Sequence, residues 1–256
     1  MNEDVLYSVD GRVATITLNR PGQRNAINGA VAEQLEAALT TAEQDDGIWV
    51  VLLTGAGPAF CAGADLVAIA AGGTDQLSTA LGGFAGFVRY PRTKPVIAAV
   101  HGFALAGGWE LVLACDLVVA AHGTRFGLPE VTRGILAAAG GIFQLSQALP
   151  PALARELILT GEPITADQAL ALGLVNQVVD TDQVLATART LADRLCRNAP
   201  LAVRASLRLS REARDLTEEE SWPRTDAAAA RILQTHDAHE GPQAVADKRE
   251  PRWAAR

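Results

Sequence analysis

An α/β fold is predicted for this 256-residue chain by three observations near its start. A β-branched run alternates in character, a helix-period run follows it, and a short continuous apolar run then returns the chain to strand. Val13, Thr15 and Thr17 alternate with Ala14, Ile16 and Leu18, the second of two strands. Val31, Leu35, Ala38 and Leu39 recur at helical spacing through Asp45. Trp49 to Leu53 is almost wholly apolar, the pattern of a strand covered on both faces.

Gly55, Gly57, Pro58 and Gly63 break the pattern next, so FCAGADL falls in a loop at a strand's carboxyl end, where open α/β sheets bind ligands. A helix is predicted from about Asp75 to Arg89. Pro95 opens the strand PVIAAV, which passes His101-Gly102 and Gly107-Gly108 into the helical stretch WELVLACD before LVVAA resumes as strand. Beyond about Gly141 helices dominate: Leu153–Leu159, Ala166–Leu172 after a Thr165 cap, Asp182–Arg197 and Leu201–Arg214. LVNQVVD, from Leu174, is the one strand candidate there. Thr217 and Glu220 have capping-box spacing and start a helix toward Gln234. The reading divides the chain into an α/β core, 1–195, and a helical C-terminal region, 196–256.

Composition narrows the function classes. Hydrophobic residues make up 49% and charged residues 20%, a globular balance. A net charge of −7 without a basic stripe disfavours nucleic acid. Cys61, Cys115 and Cys196 are widely spaced and odd in number, which argues against a disulfide framework and suits a reducing, cytoplasmic setting. MNEDVLYSVDGR lacks the order of features in a signal peptide. The longest uncharged stretch, Gly134–Ala154, is interrupted by glycines, glutamines and a Pro-Pro pair, so no membrane span is expected.

The glycine loops match neither a P-loop nor a dinucleotide fingerprint, and no G-x-S-x-G elbow is present. Two glutamates in apolar surroundings carry more information. Glu110 lies between Trp109 and Leu111 near a helix start, and Glu130 follows Pro129 in FGLPEV. Burial of a carboxylate at Glu110 raises its pKa into the range of a general acid or base at neutrality. Exposure in a first helical turn, favoured by the helix dipole, is the competing reading.

AFCAGADL (Ala59–Leu66), HGFALAGGWEL (His101–Leu111), FGLPEVTRGI (Phe126–Ile135) and EGPQAVADKREP (Glu240–Pro251), with NRPGQRNAIN (Asn19–Asn28) before them, resemble the crotonase, or enoyl-CoA hydratase/isomerase, superfamily. The resemblance spans essentially the whole chain. It implies a crotonase-like spiral of repeated ββα units, a helical C-terminal trimerisation region with trimers often paired into hexamers, and acyl-CoA thioesters as ligands. It implies an oxyanion hole from the N–H groups of Ala64 and Gly107, with Glu110 and Glu130 as the acid/base pair. Arg24, Ala62, Asp65, Leu66 and Trp109 are the candidate substrate-binding residues, although Trp109 also suits core packing. No metal or redox cofactor is implied; coenzyme A arrives as part of the substrate.

Val67 departs from the family's frequent lysine, and AAAGGIFQL replaces the commoner GAGGTQRL around Gly140-Gly141, so CoA contacts and acyl preference do not transfer directly. Cys61 reads as a small buried residue rather than a nucleophile. His236 and His239 read as an exposed pair without a third metal ligand. The basic residues Lys248, Arg249, Arg252 and Arg256 suit either a CoA contact or a solvated terminus. The expected activity is reversible syn hydration of a 2-trans-enoyl-CoA. The alternatives are enoyl-CoA isomerisation, dehydration of a specialised hydroxyacyl-CoA such as a carnitinyl or sterol side-chain thioester, and non-catalytic acyl-CoA binding.

Overall fold

The strands β1 (Val5–Asp10) and β2 (Val13–Leu18) pair antiparallel through a two-residue turn at Gly11-Arg12, where Gly11 takes φ +58. Residues 3–70 and 72–256 are described by the computed structural model; Met1 and Asn2, which open the stretch read for a signal peptide, lie outside the described residues. α1 (Gly29–Gln44) follows, capped by the Asn28 side chain, which accepts the Val31 N–H at 2.9 Å. β3 (Val50–Gly55) is buried along its whole length and lies parallel to β2.

A short helix, α2 (Leu66–Ala70), leads to a small hairpin of β4 (Ser78–Thr79) and β5 (Gly83–Phe84). This replaces the helix expected over Asp75–Arg89. Gly83, Ala85 and Gly86 all take positive φ, which a helix forbids. The Glu36 carboxylate of α1 also accepts the Thr79 hydroxyl and, at 2.7 Å, the Gly82 N–H, tying the hairpin down.

β6 (Val96–Val100) and β7 (Phe103–Leu105) precede α3 (Gly107–Ala114), and β8 (Leu117–Ala121) and β9 (Arg125–Gly127) follow it. The β7 and β9 strands, absent from the sequence reading, are only three residues long and too short to show a period. Then come α4 (Gly141–Ala148), α5 (Pro151–Thr160), β10 (Ile164–Thr165), α6 (Ala166–Ala171) and β11 (Gln177–Val179). The chain closes with α7 (Val184–Cys196), α8 (Pro200–Glu212), α9 (Glu218–Ile232) and α10 (His236–Ala246). Capping boxes at Thr165 and Thr217 start α6 and α9.

The main sheet has the order β1-β2-β3-β6-β8-β11 and is parallel from β2 onward, while β10-β9-β7 form a second, smaller sheet. Alternation along the strands divides the interior into two layers. Ile16, Val51, Leu53, Ala98 and Ala120 face the core shared with α1 and α3. Val50, Leu52, Ile97 and Val119 face a second core closed by Val184, Ala188 and Ala192 of α7. Strands buried on both faces explain the unbroken apolar runs in the sequence. The segments of the site follow β3 of this sheet and β7 and β9 of the smaller one.

Candidate active site

Two loops meet above the carboxyl ends of β3 and β7. The first is held by Ile27, whose N–H donates to the Gly63 carbonyl at 2.8 Å and whose carbonyl accepts the Asp65 N–H at 2.8 Å. That pairing turns the intervening Ala64 N–H away from Ile27. Asn25, buried at φ +56, donates from Nδ2 to the carbonyls of Ala56 and Ala59 at 2.9 and 2.8 Å, bracing the loop from beneath. Gly63 takes φ +90, and a Cβ there would stand 2.9 Å from the Gly107 nitrogen. Only glycine lets the two loops approach this closely.

The second loop turns sharply at Ala106, where φ is +52 and ψ −130, a conformation an alanine rarely adopts. The turn starts α3 and leaves the Gly107 N–H among the unpaired donors of a helix N-terminus. Among the described residues, neither the Ala64 nor the Gly107 N–H meets a hydrogen-bond acceptor. Phe84, carried by β5, lays its ring against Gly107, where an added Cβ would come within 2.5 Å of it.

Glu110, one turn into α3, is 3% exposed and accepts the Gly141 N–H on Oε1 at 2.9 Å. Burial pushes its pKa up to about 7; the Gly141 N–H opposes the shift, and the charge of Glu130 adds to it. Glu130 sits in the single-turn segment Pro129–Arg133, only 5% exposed. Burial raises its pKa too, against the pull of its own N–H and of Arg133. Its Oε2 is buried without a partner among the described residues. Ala64, Gly107, Glu110 and Glu130 all line one cavity of about 730 Å³, otherwise walled mainly by Leu66, Ile69, Phe84, Ile135 and Leu136.

The remaining candidates divide. Ala62 and Leu66 line this cavity. Trp109 does not: it is 2% exposed and packs against Phe126, ring centroids 6.1 Å apart. The substrate-binding expectation for Trp109 is therefore corrected to core packing, because adjacent helix residues point about 100° apart and Glu110 takes the cavity side. Asp65 faces away as well, its carboxylate 3.0 Å from the Arg20 guanidinium and accepting the Val67 N–H. Arg24 is exposed at φ +52, outside the cavity walls.

Cys61 is buried, donates to the Asn25 carbonyl at 3.1 Å and has its thiol pKa pushed up to about 12, the opposite of an activated thiol. His236 and His239 are exposed. In the basic tail, Arg249 pairs with Glu240 at 2.6 Å, and Trp253 donates to the Arg197 carbonyl while packing on the second core. Three residues that shape the site escaped sequence reading, Asn25, Phe84 and Arg133, and the role of a fourth, Gly141, was not specified. Gly140-Gly141 stood out as an unusual motif, but nothing local said that its N–H would reach 31 residues back to Glu110.

Comparison with known proteins gives the family of the chain. Residues 9–256 match the family model described as enoyl-CoA hydratase/isomerase. A carnitinyl-CoA dehydratase of Salmonella arizonae is 39% identical, covering 99% of each chain, and one of Proteus mirabilis is 37% identical over the whole of both. Among solved structures, an enoyl-CoA hydratase from Mycobacterium tuberculosis H37Rv superposes with a TM-score of 0.96 at 42% identity, covering both chains fully. A carnitinyl-CoA hydratase from Mycobacterium avium gives 0.77 at 46% identity, also over both chains.

Proposed function

We propose, from the premise that this chain belongs to the enoyl-CoA hydratase/isomerase family, that it is an enoyl-CoA hydratase, adding water reversibly across a 2-trans-enoyl-CoA. The observation that carries the reading is the convergence of two buried glutamates and two free backbone N–H groups on one apolar cavity. The thioester oxygen binds between the N–H groups of Ala64 and Gly107, which take up negative charge as C3 is attacked. Each such donor lowers the barrier by about 3–4 kcal/mol. Glu110 and Glu130 hold the water between them, and the unsatisfied Oε2 of Glu130 suits that task. One carboxylate removes a proton from the water as its oxygen bonds to C3; the other delivers a proton to C2.

Ala62 and Leu66 bound the acyl end of the cavity, and Arg24 is left for the nucleotide end of CoA. Asp65 supports the loop through Arg20 rather than touching substrate. The reaction needs no metal or redox cofactor, since both protons and the water are handled by these side chains. We further propose that the enzyme works as a homotrimer or homohexamer in the reducing cytoplasm, where its three free cysteines are stable. Among the described residues, no helix is long and apolar enough to cross a membrane.

The names of the Salmonella and Proteus relatives favour a second reading, dehydration of a specialised 3-hydroxyacyl-CoA, which runs the same chemistry in reverse. Isomerisation and non-catalytic binding are weaker, because one carboxylate suffices for the first and none is required for the second. The test follows enoyl absorbance across 2-trans-enoyl-CoA thioesters of increasing chain length, with product identification. Formation of the 3-hydroxyacyl-CoA supports the reading; saturable binding without turnover on any member overturns it.

A further inference from the structure

We propose that Arg133 recognises a negative charge on the substrate. Arg133 ends the turn Pro129–Arg133 that presents Glu130, and it lines the same cavity. The guanidinium is exposed, and among the described residues it forms no ion pair and donates no hydrogen bond. Arg20, Arg189, Arg211 and Arg249, by contrast, are each matched to an aspartate or glutamate. Ile135 and Leu136, which line the cavity beside Arg133, are apolar and 51% and 61% exposed. The Arg133 charge is felt within the site, where it opposes the effect of burial on Glu130.

On a chain with net charge −7, an unmatched guanidinium at the mouth of a cavity holding two carboxylates is complementary to an anion. It is not part of the proton transfer proposed above. This inference rests on the acyl-thioester reading, and an acyl-CoA carries oxyanions in two places. The phosphates lie at the nucleotide end, and a dicarboxylic acyl group adds a carboxylate at the far end. A guanidinium donates paired N–H groups to either, a geometry that lysine does not reproduce.

The experiment measures calorimetric affinity of the full chain for three saturated, unreactive thioesters: butanoyl-CoA, glutaryl-CoA and butanoyl-pantetheine. Wild type is compared with Arg133→Gln and Arg133→Lys, whose exposed position keeps the thermal midpoint unchanged. Arg133→Gln is expected to weaken at least one CoA thioester by about 10–100-fold, with Arg133→Lys recovering part of the loss. Weakening of both CoA thioesters but not of butanoyl-pantetheine assigns the phosphates; weakening of glutaryl-CoA alone assigns the acyl carboxylate. Affinities unchanged by Arg133→Gln, or lowered equally for all three probes, overturn the inference while leaving the hydratase reading intact. Failure of wild type to bind any of the three overturns both.

Discussion

Glu110 is held where ionisation is costly, and this couples its chemistry to stability. Its pKa rises from 4.5 to about 7 on folding, so the native state binds more protons than the unfolded chain between those values. Stability is therefore fully present below the unfolded pKa and is lost as pH rises through the folded one, by about 3 kcal/mol in total. Glu110→Gln keeps an acceptor for the Gly141 N–H and removes the charge. We expect its thermal midpoint to exceed wild type by several degrees at pH 8, with the gain fading toward pH 4.5. A midpoint at or below wild type at pH 8 would show that the buried charge is compensated. Activity should move the other way. Glu110→Gln and Glu130→Gln should each lower hydration by about 10²–10⁴-fold with little change in acyl-CoA affinity, and the double variant should be little worse than the poorer single one. Because one proton must be available for C2 and burial raises the Glu110 pKa to about 7, wild-type kcat/KM should fall as pH rises beyond about 7. A rate flat from pH 6 to 9 would contradict a catalytic Glu110.

The elements α3 and α4 meet where the carboxylate is positioned. Gly141 is the first residue of α4, and a Cβ there would stand 3.0 Å from Glu110 Cγ and 2.9 Å from Leu128 Cδ1. Gly141→Ala should therefore overpack the contact at a cost of about 1–3 kcal/mol and push the carboxylate off its N–H donor. Steady-state kinetics should show kcat reduced at least tenfold with KM nearly unchanged, since the loops that carry the Ala64 and Gly107 N–H groups are untouched. An equal rise in KM with kcat preserved would place Gly141 in substrate binding instead. The β4–β5 hairpin has a comparable supporting part, holding Phe84 against Gly107 through the grip of Glu36 on Thr79 and Gly82.

At the scale of the molecule, three C-terminal helices stand out for how little of themselves they bury. Within one chain only Pro200 of α8, Ala228 of α9, and Asp237 and Ala244 of α10 are buried. Trp222, Leu233 and Val245 are 59%, 69% and 78% exposed, and Leu159 and Phe143 of the core region are 70% and 60% exposed. Helices so poorly covered gain little from folding alone, so their stability requires a partner surface. Association of copies, as proposed above, would supply one. Light scattering at micromolar protein should return three or six times the 26.8 kDa chain mass, and a monomer mass would contradict the expectation. The tail does not hang free beside these helices: Asp237 accepts the N–H groups of Ala254 and Ala255 at 2.7 and 3.0 Å, so its path over α10 is fixed.

By itself the sequence determined what depends on local pattern. The doubly buried strands, the apolar face of α1, the capping boxes at Thr165 and Thr217, and the glutamates isolated among apolar neighbours all follow from spacing within a few residues. The hairpin at 78–84 did not follow, because its positive-φ positions and its tie to Glu36 depend on a residue more than 40 positions away. The orientation of Trp109 was equally undecided, since two faces of α3 are apolar and only the packed structure shows which meets the core and which the cavity. The same holds for the reach of Gly141 to Glu110 and for the unpaired state of Arg133. These are properties of groups distant in sequence, and they exist only once the sheet has brought the loops together.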